Sequence, residues 1–97
     1  MNSDSVDCRR LPFPFPTTER VPGDFAWAPH DDQPTRQIYI VLPGDKYAGA
    51  IECQLGAPGG DRIWGWDGNE DKPTFTPSIS VPGCWHGHLI AGRLVSC

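Results

Sequence analysis

The chain has 97 residues, which is room for one domain, and carries 8 Lys+Arg against 12 Asp+Glu for a net charge of −4 at pH 7. Its cations do not cluster beyond the Arg9–Arg10 pair, which argues against a sequence-independent grip on nucleic acid phosphates. Gly and Pro number 11 each while 10% of residues are aromatic, the composition of a turn-rich β protein rather than of a disordered chain.

The opening MNSDSVDCRR is polar and has no apolar core of a secretory signal. The longest apolar run, Ile38 to Pro43, is six residues and far too short to span a bilayer. The expected setting is a cytoplasm, with no membrane partner. The four cysteines, Cys8, Cys53, Cys84 and Cys97, then stay mainly reduced, and their irregular spacing without a CxxC gives no disulfide framework.

Residues 1–36 read as an extended N-terminal arm, partly mobile, ahead of a small β domain over residues 37–97. Residues 1–10 read as a mobile terminus. Pro12, Pro14 and Pro16 alternate through LPFPFP, fixing φ and removing backbone donors, so 11–36 is expected to be extended and neither helix nor inner strand. Phe13, Phe15, Phe25 and Trp27 are its apolar anchors, fit to strap it across the body.

Residues 37–42 (QIYIVL) are β-branched and aromatic and predict a buried strand. Pro43-Gly44 signals a turn, and 47–55 (YAGAIECQL) returns with Tyr47, Gly49, Ile51, Cys53 and Leu55 on the core face. After the GAPGGD loop, Ile63–Trp66 is a short strand with Trp64 and Trp66 on one face. Asp67-Gly68-Asn69 turns the chain. Residues 74–81 (TFTPSISV) form a further strand in which Pro77 marks a sheet edge or a bulge. Residues 84–90 and 93–97 close a terminal hairpin around Ala91-Gly92. No segment longer than about ten residues has helical periodicity free of Pro and Gly. The expectation is an all-β fold: a small antiparallel sheet or curled half-barrel of about five to six short strands.

Three of the four tryptophans and two of the three histidines fall within residues 64–92. Cys84, His86 and His88 alternate along one strand, so they share a face. His86 and His88, roughly 6.6 Å apart, can converge on one zinc ion, but Cys84 and His88, about 13 Å apart, cannot both reach it. A zinc site would therefore take two of the three and draw further ligands from elsewhere: Cys97 on the facing strand is one candidate, and Cys53 and Asp67 are others without a spacing argument. Cys97 joins the histidine face only if Ala91-Gly92 is a two-residue loop with φ > 0 at Ala91, not if Ile90–Gly92 is a three-residue loop. A zinc-dependent hydrolase on His86, His88, Cys84 or Cys97 is the alternative reading. The favoured one needs no cofactor.

Serine chemistry can be assembled from Ser78, His86 or His88, and Asp67, yet the G-x-S-x-G frame is absent and nothing marks Ser78 as exposed on an elbow. No catalytic residue is assigned on the sequence, and a non-enzymatic role is favoured. Trp64, Trp66 and Trp85 supply either core or an aromatic groove, and Asp67, Asn69 and Lys72 line the adjoining turn, giving a candidate binding face.

The string W-x-W-D-G-N, then D-K-P-T-F-T-P-S-I, then W-H-G with a hydrophobic hairpin, resembles a family of small bacteriophage and prophage proteins of no established function, often labelled "ammonia monooxygenase". The resemblance covers residues 63–97 closely and 37–55 loosely. It carries over Trp64, Trp66, Asp67, Gly68, Asn69, Pro73, Thr74, Pro77, Ser78, His86 and Gly92. Relatives place Cys directly before the His, where this chain has Trp85, and continue past the hairpin, where it stops at Cys97. The resemblance implies a phage-encoded accessory protein, a host-defence inhibitor or minor virion component, acting on a protein partner and open to oligomerisation. The oxidase label finds no support in these residues.

Overall fold

The computed structural model describes residues 5–14, 21–29, 34–43, 48–59, 63–81 and 85–96. Within them the chain is all strand and turn, with no helix. The ten strands are β1 (Ser5–Asp7), β2 (Arg9–Arg10), β3 (Asp24–Trp27), β4 (Thr35–Val41), β5 (Ala48–Leu55), β6 (Ile63–Trp66), β7 (Phe75–Thr76), β8 (Ile79–Val81), β9 (Trp85–Ile90) and β10 (Arg93–Ser96).

Six strands in the order β2-β3-β4-β5-β6-β7 make a sheet curled as a half-barrel. It is antiparallel except at β2/β3 and β5/β6. The other four, in the order β1-β10-β9-β8, make a wholly antiparallel sheet. Alternation sets the faces: along β4, Ile38 and Ile40 point inward, and along β5, Ile51 and Cys53 do. With Phe25, Trp27, Trp66 and Phe75 they meet Ile79, Leu89 and Leu94 of the smaller sheet in one core. Burial of these side chains is the main favourable term in holding the sheets together. Leu55, expected on the core face, lies beyond its edge at the strand end and is 63% exposed.

Three features depart from the pattern expected of the sequence. The stretch 11–36 contains an inner strand: β3 pairs with β2 on one side and β4 on the other, and Phe25 and Ala26 are fully buried. Prolines flank these four residues but do not enter them, so their backbone donors remain available. Residues 5–10, expected to belong to a mobile terminus, instead supply an edge strand to each sheet. Finally, the expected strand 74–81 is divided, with β7 in the larger sheet and β8 in the smaller one, and the chain changes sheets through Pro77 and Ser78.

The terminal hairpin has the two-residue loop. Ile90 pairs with Arg93, and Ala91 and Gly92 take φ of 48° and 76°. The tip is fastened to the larger sheet's 67–74 loop, since Ala91 N–H donates to Thr74 Oγ1 at 2.8 Å and Gly92 N–H to the Pro73 carbonyl at 3.0 Å. Asn69 organises that loop by accepting from the N–H groups of Asp71 and Lys72 at 3.0 and 2.8 Å.

Candidate functional site

The change of sheets places a serine where two sheets meet. Ser78 sits between β7 and β8, half-buried. Its carbonyl accepts the Trp64 indole N–H at 3.3 Å, which ties it to β6. The approach to it is held by the glycine loop after β5: a Cβ at Gly59 would run into the Thr76 carbonyl and the Pro77 ring, so only glycine permits this contact.

β8 and β9 pair with Ser80 opposite His86 and Ile79 opposite Gly87. Ile79, Gly87 and Leu89 are buried, so Ser80, His86 and His88 lie on the exposed face. Ser78 shares that face one diagonal step from His86, within reach of a long side chain. Its Oγ lies 3.1 Å from His86 Nε2, a hydrogen-bond distance. In the tautomer protonated at Nδ1, Nε2 accepts the serine hydroxyl, the arrangement in which imidazole withdraws a proton from a nucleophilic serine.

Asp67, the carboxylate considered for a triad, is engaged in its own loop. Its Oδ1 accepts the N–H groups of Asn69 at 3.0 Å and Thr74 at 3.3 Å. Trp66 is 8% exposed in the core, with its indole N–H on the Asn69 carbonyl at 3.1 Å. Arg36 stacks over the rings of Trp27 and Trp66 at 5.0 and 5.8 Å and reaches Glu70 at 3.2 Å. Trp64 and Trp85 pack against the core from its margin, and Trp85 donates to Ser96 Oγ at 2.8 Å. Lys72 is exposed at the loop that meets the hairpin tip.

The hairpin has the two-residue register, but Cys84 and Cys97 both lie outside the described residues. Among the described residues no group of three or more His, Cys, Asp or Glu converges on a metal position. Cys8 and Cys53 are free thiols, and burial pushes both up to about 12. Neither is poised as a thiolate nucleophile near neutral pH.

The sequence offers Ser78 and His86 without a recognised nucleophile frame around the serine. The available signal was a serine and a histidine on the two arms of a β-hairpin, at a spacing that sets them diagonally across it. A serine and an imidazole so arranged have the geometry of a serine hydrolase's nucleophile and base. The chain belongs to the family described as bacterial ubiquitination-like system serine protease (BubE), whose family model matches residues 18–97. No curated protein and no solved structure matches it.

Proposed function

We propose that this chain is a serine peptidase of a bacterial ubiquitination-like system, with Ser78 as nucleophile and His86 as general base and acid. One observation carries the reading: Ser78 Oγ stands 3.1 Å from His86 Nε2 in a chain whose family is described by serine protease chemistry. Ser78 Oγ attacks the scissile carbonyl carbon as His86 Nε2 takes the hydroxyl proton. The C–N bond then breaks, and His86 gives that proton to the departing amine, leaving an ester on Ser78. A water, deprotonated by His86, attacks the ester carbonyl. Ser78 leaves with the proton, and the free carboxylate departs.

The test is labelling with a simple alkyl fluorophosphonate followed by mass mapping of the adduct. The expected adduct is on Ser78, absent in Ser78→Ala, and slowed at least about 100-fold in His86→Ala, the usual span of general-base assistance. His88→Ala serves as the neighbouring control and labels at the wild-type rate. An unlabelled Ser78 in folded protein, or a rate indifferent to His86→Ala, overturns the reading. It would return the chain to the non-catalytic, partner-binding role of a phage-encoded accessory protein.

A further inference from the structure

Ser78 immediately precedes a sheet edge. Among the described residues β8 pairs with β9 on one side and with no strand on the other, so it ends the four-stranded sheet. The outward side of such a strand presents unpaired backbone N–H and C=O groups, and folded proteins ordinarily protect it with charge, proline or cover. The other three edges are protected. β1 carries Asp7, paired with Arg93 at 3.1 Å. β2 is Arg9–Arg10, both in ion pairs. β7 is only two residues long, too short to template another chain. β8 is Ile79-Ser80-Val81, with no charge and with Val81 37% exposed.

Resting on the Ser78–His86 reading, we propose that an extended peptide substrate docks by adding as a fifth antiparallel strand to the outer edge of β8. Strand addition obtains its affinity from main-chain hydrogen bonds and therefore suits an edge that lacks side-chain recognition elements. Direction follows from the sheet, whose pairings are all antiparallel. A strand running against β8 passes Val81 first and Ile79 last, so its next residue arrives at Ser78. The residues that pair are those N-terminal to the scissile bond, and the departing amine leaves past Ser78, away from β8. In an antiparallel ladder a residue points both its N–H and its C=O to the same side, and successive residues alternate. One of Ser80 and Val81 therefore serves β9 and the other serves the substrate.

Two diphenyl phosphonates test this: acetyl-alanyl phosphonate and its acetyl-tetraalanyl analogue, with the alkyl fluorophosphonate as reference. In each, Ser78 Oγ bonds to phosphorus, phenoxide leaves, and the serine proton passes to His86. The tetraalanyl probe is expected to label Ser78 at least about tenfold faster than the single-residue probe. N-methylation of one of its two central amides cancels that gain, and methylation of the other leaves it. Of Ser80→Pro and Val81→Pro, the variant that removes the outward N–H keeps its fold and its fluorophosphonate rate but loses the tetraalanyl gain. If fluorophosphonate labels Ser78 while the longer probe gains nothing, the edge proposal falls and the serine–histidine pair stands. Equal effects of the two methylations, or a folded proline variant at each position that keeps the full gain, overturn it in the same way. No adduct on Ser78 from any probe overturns both.

Discussion

Trp64 Nε1 donates to the Ser78 carbonyl at 3.3 Å, across the junction of the two sheets. The indole belongs to β6 of the half-barrel, and the serine immediately precedes β8 of the smaller sheet. The contact gives the first tryptophan of the W-x-W pair a role distinct from that of the second, which is core. It fixes the backbone of the residue whose hydroxyl meets His86, so it acts by position.

Trp64→Phe keeps a ring against the core and removes only the donor. A hydrogen bond of this kind contributes about 1 kcal/mol net, so a small fall in melting temperature is expected. Fluorophosphonate labelling of Ser78 should slow by roughly tenfold, because a misplaced nucleophile loses rate steeply. A labelling rate equal to wild type would show that the indole does not position the serine.

Arg9 and Asp24 join two segments far apart in chain order. Asp24 is 1% exposed and accepts Arg9 Nε and Nη2 at 3.1 and 2.9 Å, together with the Val21 N–H at 3.1 Å. Arg9 itself is mostly exposed. Arg9→Met leaves a buried carboxylate without its cation and is expected to lower stability. Asp24→Asn in the same chain should recover part of that loss, since no charge is then left stranded. Urea unfolding of the two single variants and the double variant measures the coupling. Strictly additive losses would mean that the two side chains do not act as a pair.

Burial pushes the Cys8 and Cys53 thiols up to about 12, from about 9 unpaired. In the window between those values the unfolded chain releases protons that the folded chain retains. The stabilising contribution is thus complete below pH 9 and is lost as pH rises toward 12. Melting temperature should decline from about pH 9 upward. Cys8→Ser/Cys53→Ser should flatten the decline, and iodoacetamide at pH 8 should leave both thiols unmodified in folded protein. Rapid alkylation under those conditions would contradict the burial of the two thiols.

The strands legible in the sequence were those whose pattern is local. QIYIVL and YAGAIECQL announce β4 and β5 through their own alternation, and IWGW announces β6. The segments SVD and RR are too short and polar to carry a period. They become β1 and β2 because β10 and β3 offer partners, and β10 lies nearly the whole chain away. Pro77 was readable as an interruption, but a proline does not say whether the chain resumes in the same sheet. The site was hidden for the same reason. Ser78 and His86 are neighbours only through the register of β8 on β9, and that register is fixed by Ile79, Gly87 and Leu89 turning inward rather than by any motif around the serine.

Among the described residues, Ala91 is the one non-glycine position with a positive φ. A two-residue hairpin loop of this kind needs φ > 0 at both central positions, and Ala91 takes φ of 48° beside Gly92 at 76°. A left-handed conformation costs an L-residue roughly 1–2 kcal/mol. The Thr74 hydroxyl, accepting the Ala91 N–H, and the Pro73 carbonyl, accepting the Gly92 N–H, hold the tip in place against that strain. Ala91→Gly relieves it but frees the unfolded chain by about 0.4–1 kcal/mol. The net expectation is a gain of about 0.5 kcal/mol, with β9, and with it His86, left in register. Chemical denaturation measures the gain, and an unchanged fluorophosphonate rate at Ser78 confirms the register. A loss of stability would show that the tip contacts with the 67–74 loop, rather than the turn itself, decide the hairpin's geometry.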